Sequence, residues 1–290
     1  MSEISRQDQS VGFAKWAPGT SLVISGFRIE GIERGTDILG PLELSQFTAV
    51  DCDWGASVSS HPSGDTQISD CTFDSNIDGL VLFGSRGGPI FVSRCSMREN
   101  RSTGLYLTGA SDVAIVEDCD MAGRTGAAVY HGTVLVLRDS EVRGWSLGLF
   151  ISGSCNVDLR GCTVWGGEQQ SITSENGSLL SGSGNVVLGS DDANMTIDLH
   201  NSNVFFNGNH IHKGAGPVIQ AYYSYPTQYT WTLDFRDNYW GTTEADSIAA
   251  WILDSVDNPE MPATVEYLPF SEVPVETERR SMGSVKSLFR

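Results

Sequence analysis

His210-Ile211-His212 places two imidazoles on one face of an extended strand, because side chains two residues apart point the same way. That is half of a tetrahedral zinc site. No third ligand is evident, so structural or solvent-facing histidines are the plainer reading, and no metal or other cofactor is expected. Groups able to move a proton are Asp74, Asp78, Glu99 and Glu168, all in polar loops, and His131, directly after Tyr130. Acids in polar loops are more often simply solvated. Asp191-Asp192 is an isolated acidic pair. The six cysteines show no C-x-x-C pair, which argues against zinc. Asn100, Asn176 and Asn194 head glycosylation patterns, which carry meaning only in a secreted chain.

What must position these residues is a repeat. Ile68-Ser-Asp-Cys71-Thr-Phe73 returns as Val92 to Met97, Val116 to Met121, Leu137 to Val142 and Leu159 to Val164. Looser copies run from Leu199 to Val204 and from Phe235 to Trp240, with earlier ones around Cys52 and Phe27. Most copies lie roughly 20–25 residues apart, the mark of a stacked solenoid. On this alignment Cys52, Cys71, Cys95, Cys119 and Cys162 share one inward position, replaced by Ser140, Ser202 and Asn238. Cys155 alone falls outside it. A buried column in which Ser replaces Cys is scaffold, not a disulfide framework. The wider gaps after Cys162 imply insertions in the later coils.

Each coil reads as three short strands. Residues five and three before the Cys position are apolar and alternate, as in Ile90/Val92 and Leu135/Leu137, giving a first strand with one buried face. Two polar residues and a shift of inward parity then demand a tight bend into a second strand. After a loop, Gly79-Leu-Val-Leu82, Gly104-Leu-Tyr-Leu107, Gly126-Ala-Ala-Val129 and Gly148-Leu-Phe-Ile151 form the third. Its outward residues are Val81, Phe83, Tyr106, Thr108, Ala128, Tyr130, Phe150 and Ser152. Phe83, Tyr106, Tyr130 and Phe150 therefore make an aromatic ladder that suits either stacking on sugar rings or burial by a partner. The second strand turns Asp53, Thr72, Ser96, Asp120, Glu141 and Thr163 to solvent. The first turns out Phe91, Ile115 and Val136, flanked by Val113 and Val134, an apolar stripe that favours an interface.

These coils, the Ile24-Ser-Gly-Phe-Arg-Ile-Glu-Gly31 opening and the Asn238-Tyr-Trp-Gly-Thr242 ending resemble the right-handed parallel β-helix repeat superfamily. The resemblance extends to pectate lyases, polygalacturonases, alginate epimerases and phage tailspikes, and covers roughly residues 20–272. It implies an all-β, right-handed parallel β-helix of about eight or nine coils with three short strands each. It also implies that substrate would lie on the third-strand face and its neighbouring loop. That face lacks the carboxylates a calcium-dependent lyase would need, and the polygalacturonase Asn-Thr-Asp and Gly-His-Gly motifs are missing. An enzyme of this kind would be a polysaccharide lyase or glycoside hydrolase, but the usual catalytic motifs are absent.

The expected organisation is a leader or cap over 1–21, the β-helix over 22–243, a capping helix and strand over 244–272, and a tail over 273–290. The helix is read from Glu244 to Leu253, where Ile248, Trp251 and Ile252 recur at helical spacing. A net charge of −18 opposes binding to nucleic acid and to anionic membranes. No apolar run reaches the roughly 20 residues of a membrane span, and the opening residues lack a secretory pattern. The expected setting is therefore cytoplasmic, virion-associated or reached by a signal-independent route. Two functions fit: recognition of a polysaccharide along the aromatic face, or a structural adaptor whose apolar flanks meet a protein partner or copies of itself, as in homotrimeric tailspikes.

Overall fold

A computed structural model of the chain describes residues 2–5, 11–15, 21–59, 64–84, 88–109, 113–192, 194–222, 231–258 and 262–274. Trp16, Pro18, Pro259 and the basic tail from Val275 lie outside them. Every paired strand is parallel to its neighbours, and each pairs with its counterpart in the next coil. The first strands form one sheet of eleven, running from Leu22–Ser25 through Ile90–Ser93 and Val134–Arg138 to Ala263–Glu266, partial end coils included. The third strands stack from Val11–Lys15 through Asp78–Phe83, Thr103–Thr108 and Ile172–Glu175 to Ile252–Leu253. Short second strands, such as Thr163–Gly166 and His210–His212, attach beside them.

The bend expected between first and second strands is a single left-handed residue. Asp70 (φ 55°), Arg94 (51°), Asp118 (53°) and Asp139 (45°) hold it, then Gly161, Gly184 and Gly208. Asp tolerates this conformation through local hydrogen bonding and Gly through its missing Cβ, which is why those types dominate the site. The glycine opening each third strand has a different cause. A Cβ on Gly79 would stand 2.5 Å from the Gly104 carbonyl oxygen, so only glycine allows the coils to close to strand spacing there. The interior between the sheets is one continuous apolar core, from Ile24 to Val265.

The Cys column differs from the alignment at three places. Thr72 N donates to Phe47 O and Ser96 N to Cys71 O, so Phe47 stands below Cys71. Cys52 belongs instead to the loop before the third strand, level with Asn76 and Asn100, where Ile77 N bonds Cys52 O and Arg101 N bonds Asn76 O. Above Cys162 the column continues through Asn185 and Asn209 to Asn238. Asn185 Oδ1 accepts from Cys162 N at 2.8 Å, and Asn238 Oδ1 accepts from Asn209 N at 2.7 Å. Ser202 lies in a separate column with Cys155 and Ser178, at the turn that enters the first strand. The two coils that follow Cys162 are therefore regular, and they were hidden because Asn replaced Cys.

The N-terminal segments pair in register, Ser2–Ser5 with Phe27–Glu30 and Val11–Lys15 with Arg34–Leu39. At the other end the helix is shorter than its apolar spacing predicts. It spans Ala245–Ala249 and buries Ile248, after which Ile252–Leu253 returns to the third-strand sheet beside Ile219–Tyr222. Edge pairing wins there because it satisfies backbone groups that a further helical turn would leave over the open coil. Ala263–Glu266 then closes the first-strand sheet against Trp231–Asp234. Among the described residues no helix is long and apolar enough to cross a membrane.

Candidate functional site

The third-strand sheet presents two parallel outward columns. One runs Val81, Tyr106, Ala128, Phe150, Thr173, Asp198 and Gln220. The other runs Phe83, Thr108, Tyr130, Ser152, Glu175, His200 and Tyr222. The aromatic residues alternate between them, so each ring leans over a small residue of the neighbouring coil. Ring centroids step 6.5 Å from Phe83 to Tyr106, 5.3 Å to Tyr130 and 5.4 Å to Phe150. Trp54 extends the series at 6.3 Å from Phe83 and carries the Arg34 guanidinium 4.4 Å above its ring. Val81 and Ala128 point outward as expected, yet each is only 3% exposed because the rings cover them. All four predicted ladder residues remain half-exposed.

Beside the ladder Asp78, Thr103, Arg124 and Gln169 complete a groove of about 440 Å³, within the usual range of ligand sites. Of the acid candidates, Asp78 alone lines it, its carboxylate accepting from Thr103 N at 3.0 Å. Asp74 is spent on the scaffold, accepting from Ser96 Oγ at 2.8 Å and Arg98 N at 2.7 Å. Glu99 accepts from Ser75 Oγ and faces the second-strand side, while Glu168 is exposed on its loop. His131 is not among the groove's lining residues; its ring centroid stands 6.0 Å from that of Tyr130.

Past Phe150 the same face turns polar. His200 Nε2 lies 2.8 Å from Asp198 Oδ1, and the His200 ring packs 3.8 Å from Tyr222. Glu175 is the in-register neighbour of His200, and Asn176 Nδ2 donates to its carboxylate at 3.1 Å. Asp198 is 8% exposed. The Thr173 hydroxyl between Phe150 and Asp198 is buried without a hydrogen-bond partner. Desolvation, then the fields of Asp198 and Glu175, push the Tyr222 phenol above its ordinary pKa. Tyr130 is raised likewise, by desolvation first, then Tyr106 and Glu175. Sequence reasoning missed this cluster by aligning Ser202 with the cysteines, which put His200 on a first strand. Alignment on Asn185 and Asn209 assigns Ile197–His200 to the third.

His210 and His212 share one face, with ring centroids 4.0 Å apart and the Tyr239 ring 4.7 Å from His210. Burial, and then the charge of His212, bring His210 down to about 4, and burial lowers His212 too. Among the described residues no three His, Cys, Asp or Glu side chains converge to hold a metal ion. The second-strand side is less uniformly solvated than its pattern implies. Asp120 there bridges Arg98 and Arg143 beside a groove of about 680 Å³ lined by Trp145 and Trp165. On the first-strand sheet Phe91, Ile115 and Val136 stand in one register row, with Phe91 36% and Val113 38% exposed.

Parallel, in-register coils that turn a ladder of rings outward define a β-solenoid with a long aromatic face. A family model described as "Right handed beta helix region" matches residues 56–211 and 114–239, and the chain belongs to that family. No curated protein and no solved structure matches it.

Proposed function

We propose that the protein recognises a polysaccharide laid along the third-strand face. The observation that carries this is the staggered ladder from Trp54 to Phe150, whose rings stay half-exposed and in which Phe83, Tyr106, Tyr130 and Phe150 each stand beside a small residue of the next coil. Sugar rings have apolar C–H faces and polar rims, so they pack on aromatic floors while their hydroxyls bond to flanking polar groups. Asp78, Thr103 and Gln169 supply such groups along one edge. Retention in affinity gels containing soluble polysaccharides tests the reading. The wild type should be retarded by at least one of them and the Tyr106→Ala/Phe150→Ala variant by none. Equal retardation of both proteins contradicts it.

The apolar row of Phe91, Ile115 and Val136 favours a second role, docking against a protein partner or copies of the chain in a trimer. It lies on a different sheet, so the two roles are compatible.

A further inference from the structure

We infer that the groove on the second-strand side binds a small anion built on a planar aromatic ring. The ring lies against Trp145 and Trp165, and its phosphate or carboxylate meets the arginines beside them. The site uses none of the ladder residues, so it holds whether or not a polysaccharide binds the third-strand face.

Local structure explains the groove. Ala122, Arg143 and Trp165 follow one another in register along one outward column, so a single methyl group stands beside two long side chains and leaves a depression. Arg98, just past the strand Ser96–Met97, and Trp145, two residues beyond Arg143, complete it to about 680 Å³. That volume suits a ligand larger than one sugar ring. The register slips beside it, since Gly123 pairs with Gly144 but Thr125 with Leu147. Such an extra residue re-aims the side chains it carries. Trp145 lies within this slip and is 50% exposed, although the Arg124 guanidinium stands 5.8 Å from its ring centroid.

The arginines are pinned without being used up. Asp120, whose side chain is 13% exposed, accepts from Arg98 Nε at 2.7 Å and from an Arg143 Nη at 2.8 Å. A guanidinium has five N–H donors, so one carboxylate cannot occupy both groups, and each keeps donors for an incoming oxyanion. Arg101 lines the groove as well, and among the described residues neither it nor Arg124 enters an ion pair. Arg98, Arg101, Arg124 and Arg143 stand against the carboxylates of Glu99, Asp120 and Glu141, which leaves one positive charge here in a chain of −18.

That combination selects its ligand. A cation would be repelled, and an uncharged sugar would leave the spare guanidinium donors without a counter-charge. A bare oxyanion would leave the indole faces in water. A flat ring carrying one oxyanion satisfies both parts, by stacking on tryptophan and by forked hydrogen bonds from arginine. Nucleotides and aromatic carboxylic acids are the two sources of this chemistry.

The experiment titrates the full chain calorimetrically with AMP and indole-3-acetate. Adenosine and tryptamine supply the same rings without the anion, and inorganic phosphate supplies the anion without a ring. AMP or indole-3-acetate should bind at least tenfold more tightly than its control ring and than phosphate, and the tighter of the two names the source. Trp145→Ala should weaken that binding about tenfold, the loss of one stacking partner. Arg143→Lys, which keeps the charge but loses the planar fork, should weaken it too. Arg101→Gln changes an exposed side chain and should weaken binding severalfold with an unchanged melting temperature. Failure of both ring anions to bind at millimolar concentration overturns the site. Tryptamine or inorganic phosphate binding as tightly as the ring anions also overturns it, as does affinity that survives both Trp145→Ala and Arg101→Gln.

Discussion

Tyr106 and Tyr130 occupy different outward columns of neighbouring strands, yet their ring centroids lie 5.3 Å apart. Their register partners are Ala128 and Thr108, residues small enough to let each ring lean across. The floor is therefore specified as much by its small residues as by its aromatic ones.

Ala128 should be intolerant of larger side chains although it points away from the core. Ala128→Leu would fill the notch between Tyr106 and Phe150 and lift both rings. Polysaccharide retention should fall about tenfold, equivalent to ~1.4 kcal/mol, while the melting temperature moves little. Measuring both on one preparation separates a lost floor from a lost fold.

Gly79→Ala probes coil closure. Its Cβ would meet the Gly104 carbonyl oxygen at 2.5 Å and the Asn100 amide at 2.6 Å, so the strands must part. Urea unfolding should show a loss of about 1–3 kcal/mol. An unchanged midpoint would mean the coils are spaced more loosely than described.

How much of this was legible from sequence depended on whether a repeat kept its marker residue. The third strands from Gly79 to Ile151 each begin with Gly and alternate Leu-x-Leu or a close variant, so the parity of Phe83, Tyr106, Tyr130 and Phe150 could be read directly. Beyond Cys162 the marker becomes Asn, whose side-chain oxygen accepts a backbone N–H from the previous coil, as at Asn185 and Asn209. A polar residue in an otherwise apolar column looks like a loop until that hydrogen bond is seen. Cys52 misled in the opposite sense: the residue type matched, but Phe47 fills the column. The Asp198–His200 contact was hidden by the same slip in register.

His210 should give the fold a pH dependence. Its pKa is about 4 in the folded chain, against about 6.5 unfolded. Below pH 6.5 the unfolded chain takes up a proton that the folded chain refuses. The stabilisation is therefore complete above that value and is lost as pH falls toward 4. The ring is half-buried, so solvent screening trims the effect to about 1–2 kcal/mol. Denaturation at pH 7 and pH 4.5 should show that difference in the wild type and a smaller one in His210→Gln, with His212 supplying the remainder.

The row of Phe91, Ile115 and Val136 predicts association. Light scattering on the wild type should give a mass above 31.3 kDa, and Phe91→Lys with Ile115→Lys should reduce it to that of one chain. A monomeric wild type that stays soluble at high concentration would leave the stripe without an oligomeric role.

The ladder itself is tested most directly by the dependence of affinity on chain length. From Trp54 to Phe150 it crosses four strand intervals, ~19 Å at ~4.8 Å each. Calorimetric titration with oligosaccharides of increasing length, cut from the polymer that retards the protein best, should show affinity rising with each added sugar until that span is filled, then levelling. In Tyr106→Ala/Phe150→Ala the rise should disappear. Affinity that is independent of length, or a rise that survives loss of both rings, would contradict recognition along this face.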